Sequence, residues 1–187
     1  MAYKLTSYKG VRTKQSNRIF QTVAELLFDV SPARIMEIGT YAGGFSLFAT
    51  LRAPDAEYVG YEIDGRVLHE KVSHLNIKVM NFFNDLDFAK EYIQGEGTTI
   101  VFCDGGNKTL EFALIAPMLK PGDMILTHDY LDDTKHDLKV YRSVKGFRKP
   151  ESLKSELLPI ATHYGLHDDV GIDFTMSLWS CWIKEES

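Results

Sequence analysis

The chain has 187 residues, of which 44% are hydrophobic and 25% charged, and its formal net charge is -5 at pH 7. This composition excludes a disordered or fibrous chain, and the acidic balance makes nucleic acid an unlikely partner and disfavours broad binding to anionic lipid. The length suits a single domain over residues 1–187 that folds without disulfides or metal.

Cysteine usage and hydropathy indicate the cellular compartment of the protein. Cys103 and Cys181 both lie in apolar sequence, which is typical of buried thiols in a reducing compartment. The first ten residues lack the apolar core of a signal peptide, and no apolar run reaches the roughly 18 residues of a membrane span. We therefore expect a cytoplasmic protein with no membrane partner.

Short apolar runs alternate with amphipathic stretches along the first 130 residues. A helix is predicted after Ser16, a plausible N-cap, and ends before Pro32. Strands are predicted over 34–38, 57–62, 77–83, 98–103 and 124–127. Further helices are predicted over 45–51, 64–75, 86–93, 110–119 and 151–163. This alternation predicts βαβ units and a parallel sheet in a three-layer α/β domain.

The end of the chain breaks this rhythm. Two apolar stretches, 171–174 and 176–183, follow each other with no room for a crossover helix. We expect them to pair as a C-terminal antiparallel hairpin at one edge of the mostly parallel sheet.

Two features at strand ends predict a nucleotide-type ligand. Gly39 and Gly43 follow the first predicted parallel strand and allow a tight turn close to a ligand. Their spacing is G-x-x-x-G, which argues against the dinucleotide fingerprint and against an NAD-dependent oxidoreductase. Glu62 ends the next strand, about 20 residues later, where an acidic side chain accepts hydrogen bonds from ribose hydroxyls. A glycine turn with no ligand and a solvated carboxylate are the alternatives.

Four stretches of the sequence carry a family resemblance. RIMEIGTYAGG, YVGYEID, TTIVFCDGG and LKPGDMILTHDY resemble successive motifs of class I S-adenosylmethionine-dependent methyltransferases. The sequence is most similar to small-molecule O-methyltransferases of the macrocin/cephalosporin-hydroxylase-like type. The resemblance implies a Rossmann-like methyltransferase fold, S-adenosylmethionine as cofactor, and a small-molecule substrate methylated on a hydroxyl.

The resemblance also assigns site residues. It implies that six residues contact the cofactor, Glu62 through the ribose: Glu37, Gly39, Thr40, Gly43, Glu62 and Asp104. For the adenine contact, Phe83, Asn84 and Asp85 remain alternatives.

The ends of the fourth and fifth parallel strands carry polar residues suited to metal binding or to acid–base catalysis. In related metal-dependent methyltransferases a carboxylate and an acidic or amide pair at these positions hold a divalent cation. Asp104 and Asp129 match that pattern and His128 departs from it, which implies a site for Mg²⁺ or Mn²⁺ at these three residues. In the alternative no metal binds. His128 is then the general base beside Asp129, with Lys108 a weaker candidate.

The segment 131–150 is the candidate substrate lid. It combines six basic residues with Tyr141 and Phe147, so it suits an anionic substrate such as a phosphorylated sugar or nucleotide. A solvated helix face is the alternative. The competing function is a catalytically inactive, methyltransferase-like module that binds the cofactor or a partner. Several relatives form oligomers, but no sequence feature here identifies an interface.

Overall fold

The computed structural model describes residues 6–134, 150–168 and 178–186. The strands in these ranges are β1 (Thr6–Tyr8), β2 (Val11–Thr13), β3 (Arg34–Ile38), β4 (Glu57–Glu62), β5 (Ile77–Val79), β6 (Thr99–Cys103), β7 (Met124–His128), β8 (Tyr130–Leu131), β9 (Ser152–Leu153), β10 (Leu166–His167) and β11 (Trp179–Lys184). The α-helices are α1 (Asn17–Val30), α2 (Gly44–Arg52), α3 (Leu86–Ile93), α4 (Lys108–Ile115) and α5 (Lys154–His163).

One seven-stranded sheet organises the described chain. Its strand order is β10-β11-β7-β6-β3-β4-β5, and the five strands from β7 to β5 run parallel. From β3 the chain moves outward through β4 to β5 and then returns to β6 on the other side of β3. This reversal creates a switch point between β3 and β6, the position at which open α/β sheets bind ligands.

Helices cover both faces of the sheet. α1 and α2 pack on one face through a cluster that includes Ile19, Phe45 and Phe48. α3, α4 and α5 pack on the other face through a second cluster that includes Phe112 and Leu157. The predicted three-layer, Rossmann-like arrangement is therefore confirmed.

The apolar spacing explains how the first helix forms. In α1, Ile19, Val23 and Leu27 lie on one buried stripe, as helical periodicity requires. The helix stops at Ser31, which has a left-handed φ of 46° and immediately precedes a proline. Ser16 stands at the predicted N-cap position, although its side chain makes no capping hydrogen bond there.

Four predicted elements differ from the structure. The helix predicted over 151–163 begins at Lys154, since residues 152–153 form β9. Residues 64–75 form two short 3-10 turns, Gly65–Val67 and Glu70–Val72, because Asp64 and His69 each cap a separate turn. The strand predicted over 77–83 ends at Val79. The helix predicted over 110–119 begins earlier, and its α-helical part ends before the proline-containing 3-10 turn Ala116–Met118.

The C-terminal edge of the sheet is antiparallel, as predicted. β11 pairs antiparallel with β7 on one side and with β10 on the other. The predicted partner strand over 171–174 lies outside the described residues. No α-helix of the described chain combines the length and apolar character that crossing a lipid bilayer requires.

Candidate functional site

The loop after β3 turns at two glycines. Gly39 has a φ of 88° and Gly43 a φ of 85°, in the left-handed region that favours glycine. A Cβ atom on Gly39 would lie 2.4 Å from the carbonyl oxygen of Asp104. The ends of β3 and β6 can therefore approach this closely only because residue 39 has no side chain.

Glu37 lies in β3 directly beneath this loop. One of its carboxylate oxygens accepts hydrogen bonds from the Ser46 hydroxyl at 2.7 Å and the Tyr58 hydroxyl at 2.6 Å. Burial raises the pKa of Glu37 to about 7, although these two hydrogen bonds oppose the shift. Sequence reasoning missed Tyr58. Its signal is an aromatic hydroxyl on a buried strand, which needs a partner.

Glu62 is held at the end of β4 by backbone groups. Its Oε2 accepts from the Tyr41 N–H at 2.7 Å, and its Oε1 accepts from the Asp64 N–H at 3.0 Å. A carboxylate offers about four acceptor sites, so two bonds fix its orientation and leave capacity for a ligand's hydroxyls.

A cleft of about 530 Å³ opens at this edge of the sheet, within the size range of small-molecule sites. Most of the predicted cofactor residues line it, namely Glu37, Gly39, Thr40, Glu62 and Asp104. Gly43 does not line the cleft but stands at the N-cap of α2. The structure thus brings together the residues that the strand-end argument selects.

Of the three residues considered for the adenine contact, only one borders the cleft. Of the three alternatives, Phe83 lines the cleft, whereas Asn84 and Asp85 do not. The Asp85 carboxylate instead binds the Lys78 ammonium at 2.6 Å and the Tyr61 hydroxyl at 2.9 Å. It is therefore engaged within the protein.

His128 ends β7 and faces two carboxylates. Its Nδ1 lies 2.7 Å from Oδ1 of Asp104, and its Nε2 lies 3.7 Å from Oδ1 of Asp129. Its ring stacks on Trp179, with the ring centroids 4.8 Å apart, because β7 and β11 place these residues opposite each other. The Nε2 atom is buried and has no hydrogen-bond partner among the described residues.

Gln15 joins the N-terminal segment to this group. Its side-chain amide donates to Oδ2 of Asp104 and accepts from the indole N–H of Trp179, the latter at 3.1 Å. Asp104, His128, Trp179 and Gln15 thus form a closed ring of contacts. Sequence reasoning missed Gln15 and Trp179, because no local sequence pattern predicts a contact between residues this far apart in the chain.

Lys108 is the first residue of α4 and is only 3% exposed. Its ammonium donates to the Gly105 carbonyl at 3.0 Å and to the Glu151 carboxylate. It also lies 3.7 Å from Asp104 and 3.8 Å from Asp129. Burial favours the neutral amine, but the charges of Asp104 and Glu151 outweigh it and raise the pKa of Lys108. A lysine held as a cation does not suit the role of general base.

The three residues of the expected metal set lie near one another, but no group of three or more acidic, histidine or cysteine side chains in residues 6–134, 150–168 and 178–186 is placed to hold a metal ion. The imidazole separates the two aspartates, because its opposite nitrogens face one each. The ammonium of Lys108 already lies near both carboxylates. A divalent cation does not fit this arrangement.

Glu111 is a second buried carboxyl beside the cleft that sequence reasoning missed. It lies on α4, is 1% exposed, and accepts hydrogen bonds from the backbone N–H groups of Gly105 and Asn107. Burial raises the pKa of Glu111 to about 7 against the effect of these bonds. It fixes the turn that follows β6.

The predicted lid begins and ends beside His128. β8 pairs in parallel with β9, so that Leu131 stands opposite Leu153. The Asp133 carboxylate accepts from the backbone N–H of Ser155 at 2.9 Å. Residues 135–149, which carry the predicted basic and aromatic side chains, lie outside the described residues.

No protein-family model matches the chain, and no curated protein matches it significantly. Among solved structures, the apo form of CmcI matches with a TM-score of 0.69 at 16% identity, over 97% of this chain and 77% of CmcI. A CmcI structure with Mg and SAM gives 0.68 at 14% identity over the same shares.

A putative caffeoyl-CoA O-methyltransferase from Staphylococcus aureus also matches. Its TM-score is 0.62 at 14% identity, over 90% of this chain and 84% of that one. Identities this low establish a common fold. The chain therefore shares its Rossmann-like fold with these structures.

Proposed function

We propose that the chain is an S-adenosylmethionine-dependent methyltransferase that acts on a hydroxyl group of a small molecule. The observation that carries this proposal is the Glu62 carboxylate, oriented by two backbone N–H groups at the mouth of a cleft formed by a glycine turn. The fold shared with CmcI, which is also solved with SAM, and with the putative caffeoyl-CoA O-methyltransferase supports it.

The residues that border the cleft fit the cofactor's chemical groups. Glu62 would accept hydrogen bonds from two ribose hydroxyls through the acceptor sites that its backbone bonds leave. The Gly39–Asp104 approach lets backbone come close to the ligand, and Thr40 and the buried Glu37 carboxyl face the amino-acid part. When bound, S-adenosylmethionine supplies an electrophilic methyl group.

His128 would accept the proton of the substrate hydroxyl. The Asp104 carboxylate can only accept a hydrogen bond, so it selects the tautomer with the proton on Nδ1 and leaves Nε2 as the basic nitrogen. Stacking on Trp179 fixes the plane of the ring. Removal of the proton frees an oxygen lone pair for in-line attack on the methyl carbon. Asp129, 3.7 Å from Nε2, would stabilise the imidazolium that forms.

The substrate would reach His128 beside the segment 131–150. The ends of this segment are held next to the histidine by the β8–β9 pair. Its basic and aromatic composition suits an anionic small molecule, which would be held there by charge and stacking.

Titration of S-adenosylhomocysteine into the full chain by isothermal calorimetry tests the cofactor site. We expect micromolar binding to the wild type. Glu62→Ala should weaken it about 100-fold, because hydrogen bonds to a charged group contribute about 1.5–3 kcal/mol each. Glu57→Ala is the matched control, since Glu57 begins the same strand and is exposed at the opposite edge.

Either of two results would overturn the assignment. Wild-type protein that is folded but binds no S-adenosylhomocysteine has no such cofactor site. Equal affinity in the Glu62 and Glu57 variants removes the ribose assignment. Binding without turnover on a panel of hydroxyl, amine and carboxylate compounds would instead favour a binding module.

A further inference from the structure

The ends of β6 and β7 hold a positive charge supplied by the chain itself. The ammonium of Lys108 lies 3.7 Å from Asp104, which follows β6, and 3.8 Å from Asp129, which follows β7. It also contacts the carboxylate of Glu151 at the start of β9. Three carboxylates from separate segments thus converge on one cation.

The surroundings hold this ammonium in place. The Lys108 side chain is 4% exposed, and it donates to the Gly105 carbonyl in the turn after β6. Asp129 has a left-handed φ of 54°, and its carbonyl accepts from the Glu151 N–H, so the backbone is shaped to bring these carboxylates together. Moving the ammonium away would leave the partly buried carboxylates of Asp104 and Asp129 without their counter-charge.

A divalent cation and this ammonium would compete for the same carboxylates. At separations near 4 Å, repulsion between a unit charge and a doubly charged ion is large even at an intermediate dielectric constant. The third expected ligand, His128, is turned between the two aspartates and cannot join them around one ion.

We propose that the Lys108 ammonium takes the place of a divalent metal ion between Asp104 and Asp129, so that this site works without metal. Its catalytic consequence rests on the proposed function: methyl transfer by this chain is metal-independent. Lys108 is a positioning residue in this scheme. It balances the charge of Asp104 and Asp129, and Asp104 in turn orients His128.

Manganese binding tests the proposal without any substrate. The full chain, freed of metal with EDTA and exchanged into chelator-free buffer, is titrated with Mn²⁺, and free Mn²⁺ is measured by electron paramagnetic resonance. The variants are Lys108→Ala and Lys108→Gln, the latter a neutral side chain that still donates a hydrogen bond. Lys120→Ala is the matched control, because Lys120 pairs with the single carboxylate of Asp123. Circular dichroism checks that each variant is folded.

The expected result is a gain of metal binding. Wild type and Lys120→Ala should bind no Mn²⁺ at up to about 1 mM, the weak end of protein sites for such cations. Both Lys108 variants should bind one Mn²⁺ at least about tenfold more tightly, because the competing charge is gone. Asp129→Asn added to Lys108→Ala should abolish the gain.

Two results would overturn the proposal. One is a wild type that binds one Mn²⁺ and loses it on Asp129→Asn, a measurement that does not depend on the folding of any Lys108 variant. The other is a folded Lys108 variant with no gain. A parallel S-adenosylhomocysteine titration separates the questions: absent cofactor binding rejects the proposed function, while the Mn²⁺ titration alone decides the role of Lys108.

Discussion

The candidate site has two halves, the cofactor cleft and the group at the ends of β6 and β7, and they are built in different ways. In the cofactor half, at the ends of β3 and β4, the ligand-facing groups are fixed by nearby backbone: Gly39 by its own φ, and Glu62 by the N–H groups of Tyr41 and Asp64. In the reaction half, at the ends of β6 and β7, His128 and Lys108 are fixed by side chains from distant segments. Groups that nearby backbone fixes can be recognised from a sequence motif. Groups that side chains from distant segments fix cannot.

The largest expected effect falls on the reaction half. His128→Ala should lower turnover by about 10²–10⁴-fold while S-adenosylhomocysteine affinity stays unchanged, because a general base contributes to the rate rather than to cofactor binding. Initial rates on a hydroxyl substrate identified from the compound panel measure this. His163→Ala, at the exposed end of α5, is the control. A His128 variant with wild-type turnover would remove the proposed base.

Gly39→Ala tests the cofactor half. The new Cβ would meet the Asp104 carbonyl at 2.4 Å on a left-handed residue, so the two strand ends must move apart. We expect a loss of about 2–4 kcal/mol in the free energy of unfolding, measured with urea, together with weaker S-adenosylhomocysteine binding.

Gly106→Ala is its matched control, since a Cβ there has no atom within 4 Å. Equal stability of the two variants would show that the β3–β6 approach tolerates a side chain.

A pH effect on stability should also arise in the cofactor half. The pKa of Glu37 rises from 4.5 to about 7 on folding, so the native state binds the proton more tightly than the unfolded state. Stability should therefore fall as pH rises from about 4.5 to 7, by roughly 3 kcal/mol for a full shift of this size.

Urea unfolding at pH 5.5 and pH 8 measures this slope. Glu37→Gln should flatten it, because an amide does not titrate, and the amide oxygen can still accept hydrogen bonds from Ser46 and Tyr58. Glu111 contributes in the same direction and keeps part of the slope. Glu57→Gln, on an exposed side chain of the neighbouring strand, should leave the slope unchanged. Identical slopes in wild type and Glu37→Gln would contradict the assignment.

The smallest effect concerns the link between the N-terminal segment and the reaction half. Gln15→Ala removes the partner of the buried Trp179 indole, at a cost of about 1–3 kcal/mol in unfolding free energy. It should also lower turnover about tenfold or less, since Asp104 keeps its bond to His128. Gln21→Ala, on the exposed face of α1, is the control. A turnover loss as large as that of His128→Ala would mean that Gln15 contacts the substrate.

Sequence reasoning succeeds for locally fixed features and fails for contacts between distant segments. The strand ends at Ile38, Glu62 and Cys103 are confirmed, because buried β-branched runs and the turns after them are local signals. The contacts of Gln15 and Glu151 could not be predicted, since they depend on how β2 and β9 are placed by the whole sheet.

Two differences between the sequence-based expectations and the structure have equally physical causes. The stretch 64–75 has helical spacing of its apolar residues, yet Asp64 and His69 each cap the backbone locally and divide it into 3-10 turns. At the expected metal positions the sequence shows the two aspartates, and only the fold shows that the ammonium of Lys108 lies within 4 Å of both.

The β8–β9 pair has a consequence for how such a protein diversifies. By joining Leu131 to Leu153, it anchors both ends of the intervening segment to each other and to the end of β7, independently of what lies between. We therefore expect changes in the length or composition of the segment between β8 and β9 to leave the sheet and His128 in place. Under the proposed function, we expect that exchanging the residues between these two anchors would change substrate choice while His128 keeps its place.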